Sequence, residues 1–115
     1  MVIGASEKSE RYSNKAIKAL RKHGHPVVAI APRSGKVEDV SFLTERENVE
    51  NLDTVTLYVS AANQTDYYDY VVGLNPTRVI FNPGTENPEF EKRLMNLGIK
   101  AERACTLVLL SIGCY

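Results

Sequence analysis

Ten residues near the start of the chain, Gly4 to Ser13, bring together a glycine, several hydroxyl groups and two cations. A glycine directly after a short apolar stretch permits a tight turn and lets an anion approach backbone N–H groups. Three serines add hydroxyl donors, and Lys8 and Arg11 add positive charge. This chemistry suits a diphosphate. The loop is not the fingerprint G-x-G-x-x-G, because Ser6 and Ser9 stand at its later glycine positions, and no Gly-Lys-Ser/Thr follows. The alternative is an ordinary strand-to-helix turn, which also uses glycine and serine.

A second feature is Pro32-Arg33, at the end of a second apolar run. Folds that bind NAD place an acidic residue near this point for the ribose 2′-hydroxyl. Here the position holds an arginine, and the next acid is Glu38. Because a guanidinium binds a phosphate monoester through two parallel hydrogen bonds, Arg33 argues against NAD and for NADP or CoA. A surface arginine in a turn explains the same residue equally well.

A third feature is the segment Asn82-Pro83-Gly84-Thr85-Glu86-Asn87, between an apolar run and a helix start. Gly84 permits close approach of the backbone to a ligand, and Glu86 is placed to accept a hydrogen bond from an amide. Turn chemistry alone accounts for Asn-Pro-Gly as well. Two interpretations of the segment therefore remain: a loop that binds a ligand, and an ordinary turn.

The elements that must position these loops alternate between strand and helix. Apolar and β-branched runs predict strands, and amphipathic segments with capping signals predict helices. Ser13 is the expected N-cap of the first helix, and Asn87-Pro88 begins the last full one. The predicted strands are 2–3, 27–31, 40–42, 55–59, 78–81 and 99–103; the predicted helices are 13–23, 63–74 and 88–97. Residues 106–112 are predicted as helix or strand.

This alternation predicts a parallel sheet with helices on both faces, wound in both directions. The fold class is α/β, a Rossmann-like three-layer α/β/α arrangement with a mostly parallel, doubly wound sheet. Ligands in such folds bind beyond the carboxyl ends of the strands. Four loops reach that edge: 4–13, 31–36, 59–64 and 82–87. Each of two predicted helices is expected to have an apolar face. In helix 63–74 this face consists of Tyr67, Tyr70, Val71 and Leu74; in helix 88–97 it consists of Phe90, Leu94 and Leu97.

Composition sets the outer limits. A chain of 115 residues predicts one domain, residues 1–115. The formal net charge is zero, which argues against nucleic-acid binding. Residues 1–36, however, hold eight basic and two acidic side chains, which indicates a local anion site. No apolar run approaches a membrane span and the N-terminus does not read as a signal peptide. Two cysteines make no disulfide framework, so the expected location is cytoplasmic.

Taken in order along the chain, these motifs resemble the CoA-binding domain family. The residues that carry the resemblance are Gly4-Ala5-Ser6, Arg11-Tyr12-Ser13, Pro32-Arg33, Asn82 to Asn87 and Ala104-Cys105-Thr106-Leu107-Val108. The family consists of small proteins similar to the N-terminal CoA-binding domain of the succinyl-CoA synthetase alpha subunit. The resemblance implies that CoA, or an acyl-CoA, is the ligand, with its diphosphate on the loop 4–13, its adenosine 3′-phosphate near Arg33, and its pantetheine beside Val59, Ser60 and the 82–84 loop. The implied binding residues are Gly4, Ala5, Ser6, Lys8, Arg11, Tyr12, Ser13, Pro32, Arg33, Val59, Ser60, Asn82, Pro83 and Gly84.

The sequence offers no catalytic machinery. His23 and His25 lie at the end of the first predicted helix, away from the edge of the sheet where ligands bind. The sequence shows no Ser/His/Asp triad pattern and no cluster of metal ligands. The expectation is therefore a binding module, sensor or accessory subunit. Two rivals remain: an NADP-binding oxidoreductase-type domain, and a degenerate interaction domain without ligand. A protein partner or homo-oligomer is left open. Cys105 is expected to pack as a small hydrophobe, with a mixed disulfide to the CoA thiol as the alternative.

Overall fold

The computed structural model describes all residues, 1–115, as one seven-stranded sheet covered by helices on both faces. The strand order is β3-β4-β2-β1-β5-β6-β7, and every pairing is parallel except that of β3 with β4. The strands are β1 Val2–Ile3, β2 Ala29–Ile30, β3 Lys36–Val37, β4 Val40–Leu43, β5 Thr54–Leu57, β6 Arg78–Phe81 and β7 Lys100–Arg103. The helices are α1 Tyr12–Lys22, α2 Ala61–Gln64, α3 Tyr68–Leu74, α4 Pro88–Asn96 and α5 Thr106–Ser111, with a 3₁₀ turn at Thr65–Tyr67.

The order of the strands fixes where a ligand can bind. From the central β1 the chain moves outward to β2 and β4, then returns to β5 on the other side and continues to β6 and β7. The direction of winding therefore reverses between β1 and β5. At such a reversal the loops leave the sheet in opposite directions and open a crevice beyond the carboxyl ends of the strands. The predicted doubly wound, Rossmann-like fold is confirmed.

Two apolar layers hold the helices to the sheet. On one face Ile17 and Leu20 of α1 pack with Leu110 of α5 against the sheet. On the other face Phe90 and Leu94 of α4 pack with the residues of α3. Full burial of one such side chain is worth about 1.5–3 kcal/mol. No helix is both long enough and apolar enough to cross a membrane.

The helix-end signals have mixed outcomes. Asn87 caps α4 as predicted, since its side chain accepts from the Phe90 amide at 3.2 Å. Ser13 is not a cap: α1 begins one residue earlier, at Tyr12, and Ser13 lies buried in its first turn. Leu97 does not face the core, because α4 ends at Asn96 and leaves that side chain 54% exposed.

The strands and the tyrosine helix also differ from expectation. The run 27–31 forms a strand only at Ala29–Ile30, although the Val28 carbonyl accepts from the Val2 amide at 2.8 Å and the Ala31 amide donates to the Leu43 carbonyl at 3.0 Å. The antiparallel β3 was not predicted. The helix expected over 63–74 begins at Ala61 and is interrupted by the 3₁₀ turn, which rotates Tyr68 into the core. Tyr67 and Tyr70 only border it.

Candidate functional site

The loop after β1 begins with a close approach of backbone to backbone. Gly4 has a φ of +95°, and a Cβ there would lie 2.9 Å from the Tyr58 carbonyl oxygen at the end of β5. Any other residue would be strained by this φ and would push the two strand ends apart. The amides of Gly4 and Ala5 both donate to the Ile30 carbonyl at 3.0 Å. A glycine is therefore required where the loop leaves the sheet at the winding reversal.

Two side chains hold the rest of this loop. Asn14 on α1 donates from Nδ2 to the Ser6 carbonyl at 3.0 Å, and Ser6 Oγ accepts from the Lys8 amide at 3.1 Å. Glu7 reaches away to the β2–β3 connection, where its carboxylate accepts from the Lys36 amide at 3.0 Å. The loop is thus fixed at both ends, while Lys8 and Arg11 remain exposed.

The N-terminus of α1 has no capping side chain. Arg11 stands in the N-cap position and makes no side-chain cap hydrogen bond. The amides of Tyr12, Ser13 and Asn14 donate to no group in the protein, and the first amide of the helix that is bonded is that of Lys15, to the Arg11 carbonyl at 3.2 Å. Free amides at the positive end of an eleven-residue helix favour an anion.

These amides lie beside a trough of about 400 Å³. We call it the central trough. It is polar, and it brings together loops from β1, β5 and β6. Its lining residues are Gly4, Ser6, Lys8, Arg11, Tyr12, Ser13, Tyr58, Ser60, Pro83, Gly84 and Thr85.

A second cavity, the Arg33 pocket, adjoins the trough on the β2 side. It has a volume of about 330 Å³ and shares Ser6 and Lys8 with the trough. The exposed Pro32 and Arg33 lie in its wall. Its lining residues are Ala5, Ser6, Glu7, Lys8, Ala31, Pro32, Arg33, Ser34 and Phe42.

A third cavity, the apolar chamber, adjoins the trough on the β6 side. It has a volume of about 240 Å³ and shares Tyr12, Tyr58 and Pro83 with the trough. Its lining residues are Tyr12, Tyr58, Asn82, Pro83, Cys105 and Leu107. The three cavities follow one another along the carboxyl edge of the sheet. Cys105 and Cys114 are both free thiols.

Asn82 builds the floor between β5, β6 and α5. Its Nδ2 donates to Thr56 Oγ1 at 2.6 Å and to the Leu57 carbonyl at 2.9 Å, and its Oδ1 accepts from the Thr106 amide at 2.9 Å. The side chain is 2% exposed. All its polar groups are thus bonded within the protein, so that Asn82 can shape the chamber but offers a ligand no free hydrogen bond.

A second buried network fixes the 82–87 loop. Gln64 donates to the carbonyls of Val59 at 2.9 Å and Thr85 at 2.7 Å, and it accepts from Asn87 at 3.0 Å. Glu86 accepts from the Gly84 amide at 2.9 Å, as its position suggested. Val59 therefore supports the trough from behind and lines none of the three cavities.

The two arginines whose side chains have no partner in the protein both lie at this edge. Of the seven arginines in the chain, Arg21, Arg78, Arg93 and Arg103 form ion pairs with carboxylates, and Arg46 lies over the Tyr67 ring. The side chains of the remaining two, Arg11 and Arg33, form neither ion pairs nor hydrogen bonds, and they line the trough and the Arg33 pocket. Two guanidinium groups are thus available to an anion in neighbouring cavities.

Tyr58 and Thr85 line the trough without having been found from the sequence, and Leu107 lines the chamber. Burial raises the pKa of Tyr58 to about 12. Its hydroxyl therefore stays protonated at neutral pH and can donate a hydrogen bond. The two histidines lie elsewhere: His23 is exposed at the end of α1, and His25 packs edge-on against the Tyr115 ring at 5.0 Å. No three or more His, Cys, Asp or Glu side chains are grouped to hold a metal ion.

Comparisons with known proteins bear on this arrangement. The sequence model of a protein family described as "CoA binding domain" matches residues 1–111. A crystal structure of an uncharacterised protein is 42% identical, with a TM-score of 0.97 over 99% of this chain and 94% of the other. A protein from Thermus thermophilus is 22% identical, with a TM-score of 0.88 over 99% and 87% of the two chains. A hypothetical protein from Pyrococcus horikoshii OT3 is 26% identical, with a TM-score of 0.78 over 93% and 77%. No curated protein matches the chain.

Proposed function

Because the chain belongs to the CoA binding domain family, we propose that it binds CoA or an acyl-CoA in an extended form along the carboxyl edge of its sheet. One observation carries the proposal. Three joined cavities follow one another at this edge in the order cationic, amide-lined and apolar. CoA has the same order of chemical groups: a phosphorylated adenosine, a diphosphate and a pantetheine that ends in a thiol.

The central trough supplies what a diphosphate needs. The free amides of Tyr12, Ser13 and Asn14 point their N–H groups out of the end of α1, and the helix dipole adds to their field. Lys8 and Arg11 line the same trough without any competing ion pair. Hydrogen bonds from charged donors to phosphate are about twice as strong as neutral ones. This arrangement holds a diphosphate by charge and by backbone donors together.

Arg33 distinguishes CoA from its close relatives. Its guanidinium has no partner in the protein and lines a pocket joined to the trough through Ser6 and Lys8. A free guanidinium in the pocket beside the trough suits the 3′-phosphate of CoA, which dephospho-CoA and NAD lack. NADP carries a phosphate on the ribose as well, so NADP is the competing ligand that the experiment below must include.

The opposite end of the trough leads to apolar surface. Tyr12, Tyr58 and Pro83 form the passage, and Cys105 and Leu107 lie beyond it. This lining suits the neutral pantetheine arm and its thiol. We also propose that the chain holds its ligand without transforming it, because neither histidine lines the three cavities and no His/Cys/Asp/Glu cluster is grouped there.

Thermal unfolding in the presence of CoA, dephospho-CoA, NADP and NAD tests the proposal. A ligand that binds only the folded state raises Tm with the logarithm of its concentration over Kd. We expect the largest shift for CoA, a smaller one for dephospho-CoA and NADP, and little for NAD. Equal shifts for CoA and dephospho-CoA would contradict the role of Arg33, and a larger shift for NADP would support the oxidoreductase-type alternative. No shift with any ligand would support a domain that has lost its ligand.

The variant Arg33→Ala sharpens this test. It should weaken CoA binding by about 1–3 kcal/mol, the worth of hydrogen bonds to a charged group, and leave dephospho-CoA unchanged. Arg46→Ala is the matched control, because Arg46 also lacks an ion pair but packs on Tyr67 outside the three cavities. An equal loss in both variants would point to nonspecific charge effects.

A further inference from the structure

The apolar chamber is small: the buried Asn82 forms its floor and Leu107 lines its wall, whereas Tyr12 on the trough side is 66% exposed. Its volume of about 240 Å³ corresponds to roughly eight water molecules at about 30 Å³ each. A methylene group occupies about as much space as a water. The cysteamine end of pantetheine, with about four non-hydrogen atoms, would fill roughly half of such a chamber. Space for a short additional chain is left over.

The floor of this chamber is fixed. Asn82 is held by three hydrogen bonds to β5 and α5, and the Thr56 and Thr106 hydroxyls bond each other at 2.7 Å directly beneath it. Thr106 is fully buried, which anchors the start of α5 and with it the neighbouring Cys105 and Leu107. A buried, fully bonded floor of this kind cannot recede to admit a longer chain without breaking hydrogen bonds and leaving buried polar groups unpaired.

The chamber is also uncharged. Its six lining residues include no Lys, Arg, Asp or Glu, and the cations Lys8 and Arg11 line the trough but not the chamber. The pKa of Tyr58, raised by burial, keeps that phenol neutral as well. A carboxylate placed in the chamber would lose its hydration without gaining a countercharge, and such transfers are strongly unfavourable.

We infer that the apolar chamber selects the acyl group: the preferred ligand is the CoA thioester of a short, neutral, unbranched acyl chain of about four carbons. The inference rests on the proposed binding of CoA. The chamber offers a fatty acyl chain no further buried surface beyond these few carbons, and it excludes dicarboxylic acyl groups by charge. The selecting side chains are Tyr58, which separates the trough from the chamber, and Leu107, which lines its apolar wall.

Isothermal titration of the wild-type protein with a series of thioesters tests the inference. The series is CoA, acetyl-CoA, butyryl-CoA, octanoyl-CoA and succinyl-CoA. Burial of one methylene group contributes up to about a fourfold gain in affinity. We expect butyryl-CoA to bind at least tenfold tighter than CoA, and octanoyl-CoA to bind no tighter than butyryl-CoA. Succinyl-CoA, which matches butyryl-CoA in carbon number but carries a carboxylate, should bind at least tenfold more weakly than butyryl-CoA.

A pair of variants locates the selectivity. Leu107→Trp should fill the chamber and abolish the preference for butyryl-CoA, while CoA still binds. Val108→Trp is the control, because Val108 follows on the same helix, is 52% exposed and lines no part of the chamber. The inference is overturned if CoA binds but the acyl series is flat, if succinyl-CoA equals butyryl-CoA, or if both tryptophan variants keep the preference. Failure of CoA itself to bind would instead overturn the proposed function. Should Leu107→Trp not fold, the wild-type series alone decides.

Discussion

Replacing Gly4 by alanine should destabilise the fold more than any other glycine-to-alanine change in the chain. Two costs add. The φ of +95° is strained for any residue with a Cβ, at about 1–2 kcal/mol. The new Cβ would also lie 2.9 Å from the Tyr58 carbonyl oxygen and 3.0 Å from Val59 Cγ1. Because the nearer neighbour is a backbone atom, the end of β1 must move away from β5. This movement costs a further ~1–3 kcal/mol. The expected loss in the free energy of unfolding is about 2–5 kcal/mol.

Thermal and urea unfolding of the two variants Gly4→Ala and Gly24→Ala separate the strain of the backbone from the cost of the close contact. Gly24 has a φ of +79°, but its Cβ would meet nothing within 4 Å, so that variant reports the backbone strain alone. At about 4 °C per kcal/mol for a domain of this size, Gly4→Ala should lower Tm by about 8–20 °C and Gly24→Ala by about 4–8 °C. Equal losses in the two variants would refute the close packing of β1 against β5 on which the trough depends.

Three further predictions concern the floor, the charge and the pH dependence of the site. Asn82→Ala leaves the Thr106 amide without its acceptor and removes the donor to Thr56 Oγ1 and the Leu57 carbonyl, and it should cost about 2–4 kcal/mol in urea unfolding; a loss under 1 kcal/mol would contradict that role. Arg11→Ala should weaken CoA binding by about 1–2 kcal/mol in calorimetry and reduce its dependence on salt, whereas an unchanged salt dependence would remove Arg11 from the site. Burial raises the pKa of Tyr58 from 10.0 to about 12, so its contribution to stability is complete below pH 10 and is lost as pH rises toward 12. The loss is at most about 2–3 kcal/mol, and Tyr58→Phe should flatten this part of the pH–stability profile; an unchanged profile would contradict the assignment.

Local signals in the sequence were sufficient where the physical cause is also local. The cap at Asn87 followed from an Asn-Pro pair, because the capping oxygen and the amide it accepts from are three residues apart. The predicted helices 13–23 and 88–97 each stop directly before a glycine, and both of these glycines, Gly24 and Gly98, have a positive φ. The glycine at position 4 was identified by its type and its place after the first apolar run, although its close partner at the end of β5 could not be.

Features that depend on register between distant strands could not be predicted. Tyr58 belongs to an apolar run that reads as one strand to Val59, but β5 ends at Leu57 and so leaves Tyr58 at the edge, between the trough and the chamber. Leu107 enters the site only because its helix is anchored to Asn82, 24 residues away from Thr106. The hairpin of β3 and β4 was missed because β3 has only two residues. In addition, the turn places Glu38 at a φ of +54°, and glutamate is not a residue that indicates such a turn.

Ser13 shows how one error in a helix boundary changes the chemistry. As an N-cap its side chain would have satisfied an amide at the start of α1. Since the helix begins at Tyr12 and Arg11 provides no cap, that need is left to an external group. The wrong boundary therefore led to a prediction of too few anion-binding groups in the loop, because it did not include the free amides at the start of α1.

A crystal structure of the protein grown with CoA tests the central claim most directly. We expect the diphosphate on the amides of Tyr12 to Asn14, the 3′-phosphate against the guanidinium of Arg33, and the thiol in the chamber lined by Cys105 and Leu107. A nucleotide bound away from the sheet edge, or one that lies in the reverse direction with its adenine in the apolar chamber, would contradict it.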